Sequence, residues 1–314
     1  MAQDMATLSG RITAAFVQEF HKGFELACAQ KESRLQAAVT DRGSITGESF
    51  TVNDMGIVEM NDRGFADRFG DTVWSVPDSG TRIAMMGDAD LYIPISPADL
   101  PKLLAQPQGS YQQLMVEAAN RKKDSVIYNA ILADIQRKTV AANGTQTTAA
   151  QAFSASQIIW AQGTVATDTI PAKAITKKDL INVRALFRKN EADGEEIYIT
   201  YNSDMMTSIL NDSTLTSADY MVAQMLQDGE ISKKWLGLNW VPYERLKVDA
   251  ALSDTVTAVA WAKSGVHFGT GQNLQVDVGP RRDKRNAIQL SAQTSYGAGR
   301  ANEQKCVALN FLGS

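Results

Sequence analysis

The sequence predicts an α+β fold made of more than one unit, and three observations carry that prediction. Residues 110–138 run without Gly or Pro and keep a helical apolar rhythm. Residues 40–96 before them are Gly-rich, with short β-type runs between turn signals. After residue 175, helical and strand-like runs interleave and then give way to a tail of long strands. A chain of 314 residues exceeds what most single domains need, so two compact units or one elongated unit with excursions are expected.

The elements follow in order. Residues 8–30, LSGRITAAFVQEFHKGFELACAQ, form a predicted helix that Ser9 can cap. Ile12, Phe16, Phe20, Phe24 and Cys28 recur every four residues as one drifting apolar stripe, suited to packing on its own domain or on a neighbouring subunit. The Gly-rich segment carries Gly43, Gly47, Gly56, Gly64, Gly70, Gly80 and Gly87 between ITGESFTV, VWSVP, TRIAMM and DLYIPI. Those runs are too short and too dilute for a core, so an extended hairpin that borrows its support from elsewhere is expected.

SPADLPKLL reads as a short helical turn, and the long helix follows. Tyr111, Leu114, Met115, Ala118, Ser125, Tyr128, Leu132 and Ile135 hold its rhythm, Ser110 can cap it, and Arg137 and Lys138 suit its C-terminal dipole. A helix over 110–138 would be a rod of about 40 Å. Arg121, Lys122 and Lys123 form a basic cluster read as a solvated face. VAANGTQTTAAQAFSASQ is small and polar and is expected to be mobile. From Ile175, ITKKDLINVRALFRKNEADG predicts a helix with Thr176 as N-cap and Asp179 at its third position. EEIYITYN is a buried strand, and NSDMMTSILND and SADYMVAQMLQDG are helical. KKWLGLNWVPYERL comes next, and VTAVAWAKSGVHFGTG is a strand running into a Gly-rich loop, so this part is an α/β or α+β unit.

Composition excludes several function classes. A net charge of −4 disfavours a general nucleic-acid binder. No window approaches eighteen consecutive apolar residues, so no membrane span is predicted, and the first residues lack the pattern of a secretory signal. Cys28 and Cys306 are too few and too far apart for a disulfide framework and are read as reduced packing residues. His21 and His267 are the two histidines; His267 sits in VHFGTG among apolar and small neighbours and reads as structural. No zinc set can be assembled, and Asp88 and Asp90 lack the glycine and distal glutamate of a calcium loop. Gly297-Ala298-Gly299 and Gly269-Thr270-Gly271 both lead into strands, where dinucleotide binding needs a helix, and neither has the lysine of a phosphate loop. The sequence therefore offers no catalytic, cofactor or metal residues. Pro280-Arg281-Arg282-Asp283-Lys284-Arg285 is the densest basic run; a nucleic-acid footprint is one reading, and a turn with solvated or intersubunit charges is favoured by the flanking strands.

The order of the parts, together with KKWLGLNWVPYERL and LQVDVGPRRDKRNAIQLSAQTSYGAGRANEQKCVALNF, resembles the major capsid proteins of tailed double-stranded DNA bacteriophages, which have the Hong Kong 97-type fold. The resemblance covers nearly the whole chain, and the order of the pieces carries more weight than any one of them. It implies an N-terminal arm at 1–40, an E-loop hairpin at 41–96, a P-domain at 97–174 and 273–314 with a long spine helix and long strands, and a mixed α/β A-domain at 175–272. The implied function is a subunit that self-assembles into the icosahedral head and encloses the genome. An encapsulin-like nanocompartment shell has the same fold and is the alternative, and a small-molecule enzyme built on 175–272 is the reading from another class.

The implied partners are further copies in hexamers and pentamers, a separate scaffolding protein, a portal and packaged double-stranded DNA held without specificity, with a decoration protein left open. The implied location is the virion, assembled in the host bacterial cytoplasm. No long charged helical leader is present, which is why the scaffold is expected to be separate. Candidate intersubunit contacts are Phe16, Phe20 and Phe24 in the arm, Met60, Phe65, Phe69 and Trp74 in the E-loop, and Arg281, Arg282, Lys284 and Arg285 in the basic turn. The loop 264–272 is expected in the A-domain, near the local symmetry axis of a capsomer. Some relatives join subunits by an isopeptide bond from an E-loop lysine to an asparagine. This chain has no lysine between Lys31 and Lys102, so no such cross-link is expected. Gly297 and Gly299 are read as a bend between two strands that needs positive φ. Arg300, Glu303 and Lys305 then become surface or intersubunit charges, and Cys306, Val307, Leu309 and Phe311 the buried side of the closing strand.

Overall fold

Alternating side chains in the Gly-rich segment make a hairpin. The computed structural model describes residues 30–62, 70–72, 74–96, 108–141, 144–167, 170–211, 231, 233–252 and 254–313. Its first strands are β1 (Thr40–Ser44), β2 (Ser49–Met55) and β3 (Ser79–Ile95). β2 and β3 pair antiparallel from Ser49↔Met85 to Met55↔Ser79. On the two-residue period of a strand, Phe50 and Val52 turn inward while Thr51 and Asn53 face out. Phe50 and Val52 join Ala84 and Ala301 in a small cluster, with Ile45 and Met86 against it. The predicted N-terminal helix, the turn at SPADLPKLL and the helix SADYMVAQMLQDG lie largely or wholly outside the described residues.

The long helix α1 spans Gln108–Leu132, starting before Ser110 and ending short of the predicted residue 138. Ser110 is therefore inside the helix and does not cap it. Residues 135–138, predicted as its last turn, belong instead to β4 (Ile135–Val140). β4 pairs with β3 on one side, Gly80↔Thr139 to Ile83↔Gln136, and with β5 (Gln146–Gln151) on the other, Ile135↔Gln151 to Val140↔Gln146. Two ladders and three β-branched residues, Ile135, Thr139 and Val140, outweigh the helical rhythm that Ile135 also satisfies. The stretch expected to be mobile thus supplies the second arm of a hairpin. Its turn closes through Ala141 N–H to Thr145 O at 2.9 Å and Gly144 N–H to Ala141 O at 2.9 Å.

The remaining elements are β6 (Ile158–Trp160), α2 (Lys177–Lys189), β7 (Ile197–Tyr201), α3 (Ser203–Leu210), β8 (Lys234–Trp235), β9 (Leu238–Pro242), β10 (Lys247–Asp249), β11 (Thr255–Ala262), β12 (Val266–Arg281), β13 (Ala287–Arg300) and β14 (Cys306–Leu312). One sheet has the order β1-β12-β13-β3-β4-β5 with β2 on β3. The other has the order β6-β14-β11-β7-β9-β8 with β10 on β11.

The chain divides into two compact units: Met1–Ser33 with Gly87–Lys123 and Gln272–Tyr296, and Arg34–Met86 with Asp124–Gly271 and Gly297–Ser314. The first is a small layered unit. Met115 of α1 packs on Ile95, Leu290 and Ala292 of the strands, with Tyr111, Ile93, Leu274 and Ile288 at the edges. Lys123 lies over the Tyr296 ring at 5.4 Å, a cation–π contact that ties down one member of the predicted solvated cluster.

The second unit is built on β11, whose neighbours are β14, β7 and the short β10, all antiparallel. Val256, Val259, Trp261 and Ala262 are all buried, and so are Cys306, Val307, Ala308, Leu309 and Phe311 on β14. β14 is therefore buried on both faces, and the choice between odd and even positions does not arise. α2 shows the expected capping box: Asp179 Oδ2 accepts from Thr176 N–H at 2.9 Å and from its hydroxyl at 2.7 Å. Leu180, Val183 and Phe187 form its buried stripe. Between β8 and β9, Leu236 and Gly237 both take positive φ, the two-residue turn that KKWLGLNWVPYERL needs to fold Trp235 onto Leu238. Asp124, fully buried on α1, accepts the backbone N–H groups of Arg34 at 3.0 Å and Leu35 at 3.1 Å.

Candidate intersubunit surfaces and the buried arginine network

Past Met55 the hairpin opens. Gly56 N–H still reaches Asp78 O at 2.6 Å, and the described apolar side chains between them, Ile57, Val58, Met60, Trp74 and Val76, are exposed. Met60 is 99% exposed and Trp74 86%, with Met55, Ile57 and Val76 close behind. A group of large exposed apolar side chains of this kind is a contact surface or a liability. Phe65 and Phe69, the other two residues predicted there, lie outside the described residues, as do Phe16, Phe20 and Phe24 of the arm.

The foot of the excursion is pinned by charge. Asp54 Oδ2 accepts from Arg82 Nε at 3.1 Å and from Arg137 Nε at 2.9 Å. Arg137 Nη2 reaches on to Asp78 at 3.0 Å, and Arg82 Nη1 to Glu303 at 2.8 Å. Partial burial opposes the charge on Arg137, but hydrogen bonds to Asp78 and Asp54 outweigh it and hold the guanidinium above its ordinary pKa. Gly80 makes room: a Cβ there would stand 2.7 Å from both Arg137 Nε and Asp54 Oδ1.

Arg300 extends this network into the interior. It is 0% exposed, which overturns its assignment as a surface or intersubunit charge. Its guanidinium donates to the carbonyls of Ile131, Ala133 and Gln151, to Glu303 Oε1 at 2.9 Å, and stacks 5.0 Å from the Phe153 ring. The end of α1 leaves carbonyls without helical partners, and this planar fork of five donors satisfies two of them at once. Glu303, also predicted at the surface, is held between Arg300 and Arg82. Lys305 stays partly exposed and pairs within the chain, with Glu195 at 2.6 Å.

Gly297 and Gly299 are not turn glycines. Both lie inside β13 without positive φ. Their role is close approach: a Cβ on Gly297 would sit 2.5 Å from Met86 Sδ and 2.9 Å from Met85 O, and one on Gly299 2.6 Å from Ala84 Cβ. The turn comes later, where Asn302 Oδ1 caps Glu303–Lys305 through Gln304 N–H at 2.9 Å.

The basic run sits at the tip of the β12–β13 hairpin. Arg281 grips Asp283 with two hydrogen bonds, 2.8 and 2.7 Å, and reaches Gln289 at 2.9 Å. The Arg281 guanidinium pushes the Asp283 carboxyl down to about 2. Arg282, Lys284 and Arg285 are exposed and make no ion pair among the described residues. Arg285 and Asn286 hold φ of 51° and 56°, which fixes the tip as a tight turn.

His267 is half-buried, and its Nδ1 accepts from Arg42 Nε at 2.8 Å. Cys306 is completely buried, and burial pushes its thiol up to about 12, far from a nucleophile's range. Among the described residues no group of three or more His, Cys, Asp or Glu is placed to hold a metal ion, and no helix is long and apolar enough to cross a membrane.

A long-stranded sheet, an outward apolar excursion and an internal arginine clamp are thus the parts in hand. Solved phage capsids share the architecture. The capsid of cyanophage P-SCSP1u superposes with a TM-score of 0.64 at 14% identity, covering 95% of this chain and 94% of that one. The capsid of Ralstonia phage GP4 gives 0.65 at 10% identity over 95% of each chain. The capsid of a native GTA particle gives 0.60 at 12% identity over 100% of each. No curated protein matches the sequence. The sequence model of the phage capsid protein family, by contrast, matches residues 12–312, and the chain belongs to that family.

Proposed function

We propose that the chain builds its shell by laying the excursion 56–78 across a neighbouring copy, so that apolar surface left open in one subunit is covered in the next. As a family member it is a major capsid protein of the phage head and a component of the virion. The observation that carries the proposal is the outward placement of Met60 and Trp74 on a hairpin whose base is fixed by buried ion pairs. Apolar burial stabilises by about 25 cal/mol per Å², and a repeated contact of this kind multiplies over a closed assembly.

The layout proposed for the rest of the chain follows from the same reading. Residues 1–40 serve as arm and 41–96 as E-loop. Residues 97–174 with 273–314 make the P-domain, and 175–272 the A-domain with its 264–272 loop near a capsomer axis. The role is structural and not catalytic. Copies arranged as hexamers and pentamers would enclose double-stranded DNA in an icosahedral head, assembled in the bacterial cytoplasm with a separate scaffold and a portal. Arm residues Phe16, Phe20 and Phe24, loop residues Met60, Phe65, Phe69 and Trp74, and the cations Arg281, Arg282, Lys284 and Arg285 are the proposed contacts.

Electron microscopy of the purified chain tests this. Uniform shells large enough for a genome are expected; smaller shells loaded with protein cargo would point to a nanocompartment, and dispersed monomers would overturn assembly. Denaturing electrophoresis of the particles adds a covalent test. With no lysine between Lys31 and Lys102, a single band at 34.1 kDa is expected, and a ladder would refute the absence of cross-linking.

A further inference from the structure

The foot of the excursion holds a cavity of about 360 Å³. Its polar walls are Asp54, Arg82, Arg137, Gln151, Asn302, Glu303 and Gln304, and Met55, Gly56 and Ile57 line its edge. Among the described residues, four buried side-chain oxygens accept no hydrogen bond from the protein. Three of the four, Asp54 Oδ1, Gln151 Oε1 and Glu303 Oε2, belong to this one wall. Native proteins rarely leave such groups unpaired, so three in one place mark where a further group binds.

The chemistry of the walls selects the occupant. All three unpaired atoms are acceptors, so the group that satisfies them must donate. The two arginines of the wall are already engaged, each on Asp54, with Arg82 also on Glu303 and Arg137 also on Asp78. An incoming anion would face two carboxylates and a carbonyl oxygen in return. The edge adds a second requirement, because Met55 and Ile57 are both largely exposed and apolar. A flexible aliphatic stem ending in a donor-only cation meets both demands, and among side chains that describes lysine and arginine.

We infer that this cavity receives a lysine or arginine side chain from a second copy of the chain. The inference rests on the capsid reading, since it makes the neighbour that covers Met60 and Trp74 the source of the cation. A second copy has cations to give: Arg282, Lys284 and Arg285 stand exposed without an ion pair among the described residues. Seating one of them would place a charge-assisted hydrogen bond beside the apolar contact and fix the register of the excursion on its neighbour.

The test begins with the unassembled full chain, labelled at methionine methyl groups and titrated with n-butylguanidinium, with n-butyrate as control. The Met55 methyl resonance should shift saturably with the cation and stay still with the anion. Gln151→Leu removes one open acceptor while keeping the backbone carbonyl that Arg300 uses, and should weaken the response about tenfold, the loss of one hydrogen bond to a charged group. No shift, or equal shifts with both probes, overturns the proposal. A map of assembled shells supplies the second arm, where a neighbour's lysine or arginine should enter between Met55 and Ile57. Shells whose cavity takes no basic side chain overturn the proposal and leave the capsid reading standing. A chain that binds the probe but never assembles overturns the second-copy occupant and the capsid reading together.

Discussion

Trp261 and Trp74 belong to the same compact unit and are treated in opposite ways. Trp261, on the central strand β11, is fully buried, its indole N–H donating to Ala38 O at 2.9 Å and its ring stacked 6.2 Å from Tyr198. Trp74, on the excursion, is 86% exposed. A buried aromatic is worth a few kcal/mol to the domain that buries it. The first tryptophan contributes that to its own fold, and the second holds it in reserve for whatever covers the loop. The same split separates the charges, with Arg300 closed inside the unit and the cations of the β12–β13 tip facing out. A shell subunit needs both, a rigid body to carry strain and an open surface to share.

Removing Arg300 should break the rigid half most severely. Arg300→Ala strips three carbonyls of their donor in a dry site and leaves Glu303 with Arg82 alone, and about 3–5 kcal/mol of stability should go with it. Arg300→Lys should recover little, because a point charge cannot fork between Ile131 and Ala133 while holding Glu303. Urea unfolding measures both, and a loss below about 1 kcal/mol for the alanine variant would show that the clamp is not structural.

Gly299→Ala comes next. The added Cβ would stand 2.6 Å from Ala84 Cβ, so β13 and β3 must part locally, at a cost of about 1–3 kcal/mol typical of overpacking. A neutral result in the same unfolding experiment would return Gly299 to the status of a replaceable residue.

These two positions also show where sequence reasoning reached its limit. The box of Thr176 and Asp179 was legible because a cap and its acid sit at fixed spacing in the sequence. The β2–β3 hairpin was legible from strand-type composition between turn signals, whereas Met60 and Trp74 were singled out by the family resemblance, since the dilute apolar content of the loop said only that it builds no core of its own. Arg300 was not legible, since its partners are backbone carbonyls at Ile131, Ala133 and Gln151, and no side-chain pattern announces where carbonyls converge. Gly297 and Gly299 misled for a related reason: glycine serves a positive φ and a close strand approach equally well, and only the neighbour at Ala84 or Met86 decides. The end of α1 misled because Ile135 satisfies the helical rhythm and the strand alternation together, and pairing with both β3 and β5 decided between them.

The exposed half is sharpened by Met60→Ser combined with Trp74→Ser. Neither side chain supports the fold, so unfolding should move by less than about 0.5 kcal/mol. The concentration needed for shell formation should rise at least about tenfold, the effect of losing about 1.4 kcal/mol of contact. Sedimentation or light scattering at graded concentration measures it. Unchanged assembly would break the comparison, since the reserve held by Trp74 would then have no use.

The smallest effect probes the rigid half again, through pH. Burial, and then the nearby positive charge of Arg42, hold His267 below its ordinary value of 6.5, and Lys305 adds to this while a backbone hydrogen bond at Ser264 opposes it. The geometry agrees: Nδ1 accepts the Arg42 Nε–H, so a proton there would set donor against donor. The folded chain thus binds fewer protons than the unfolded chain once pH drops below 6.5. Stability from this site is fully present above that pH and is lost as pH falls through the lowered folded value. His267→Gln keeps an acceptor for Arg42 but cannot titrate, so its unfolding curve should lose part of the acid-side decline that sets in below about pH 6.5. An identical decline in both proteins would assign the pH dependence elsewhere, and the Arg42–His267 contact between β1 and β12 would then count as packing alone.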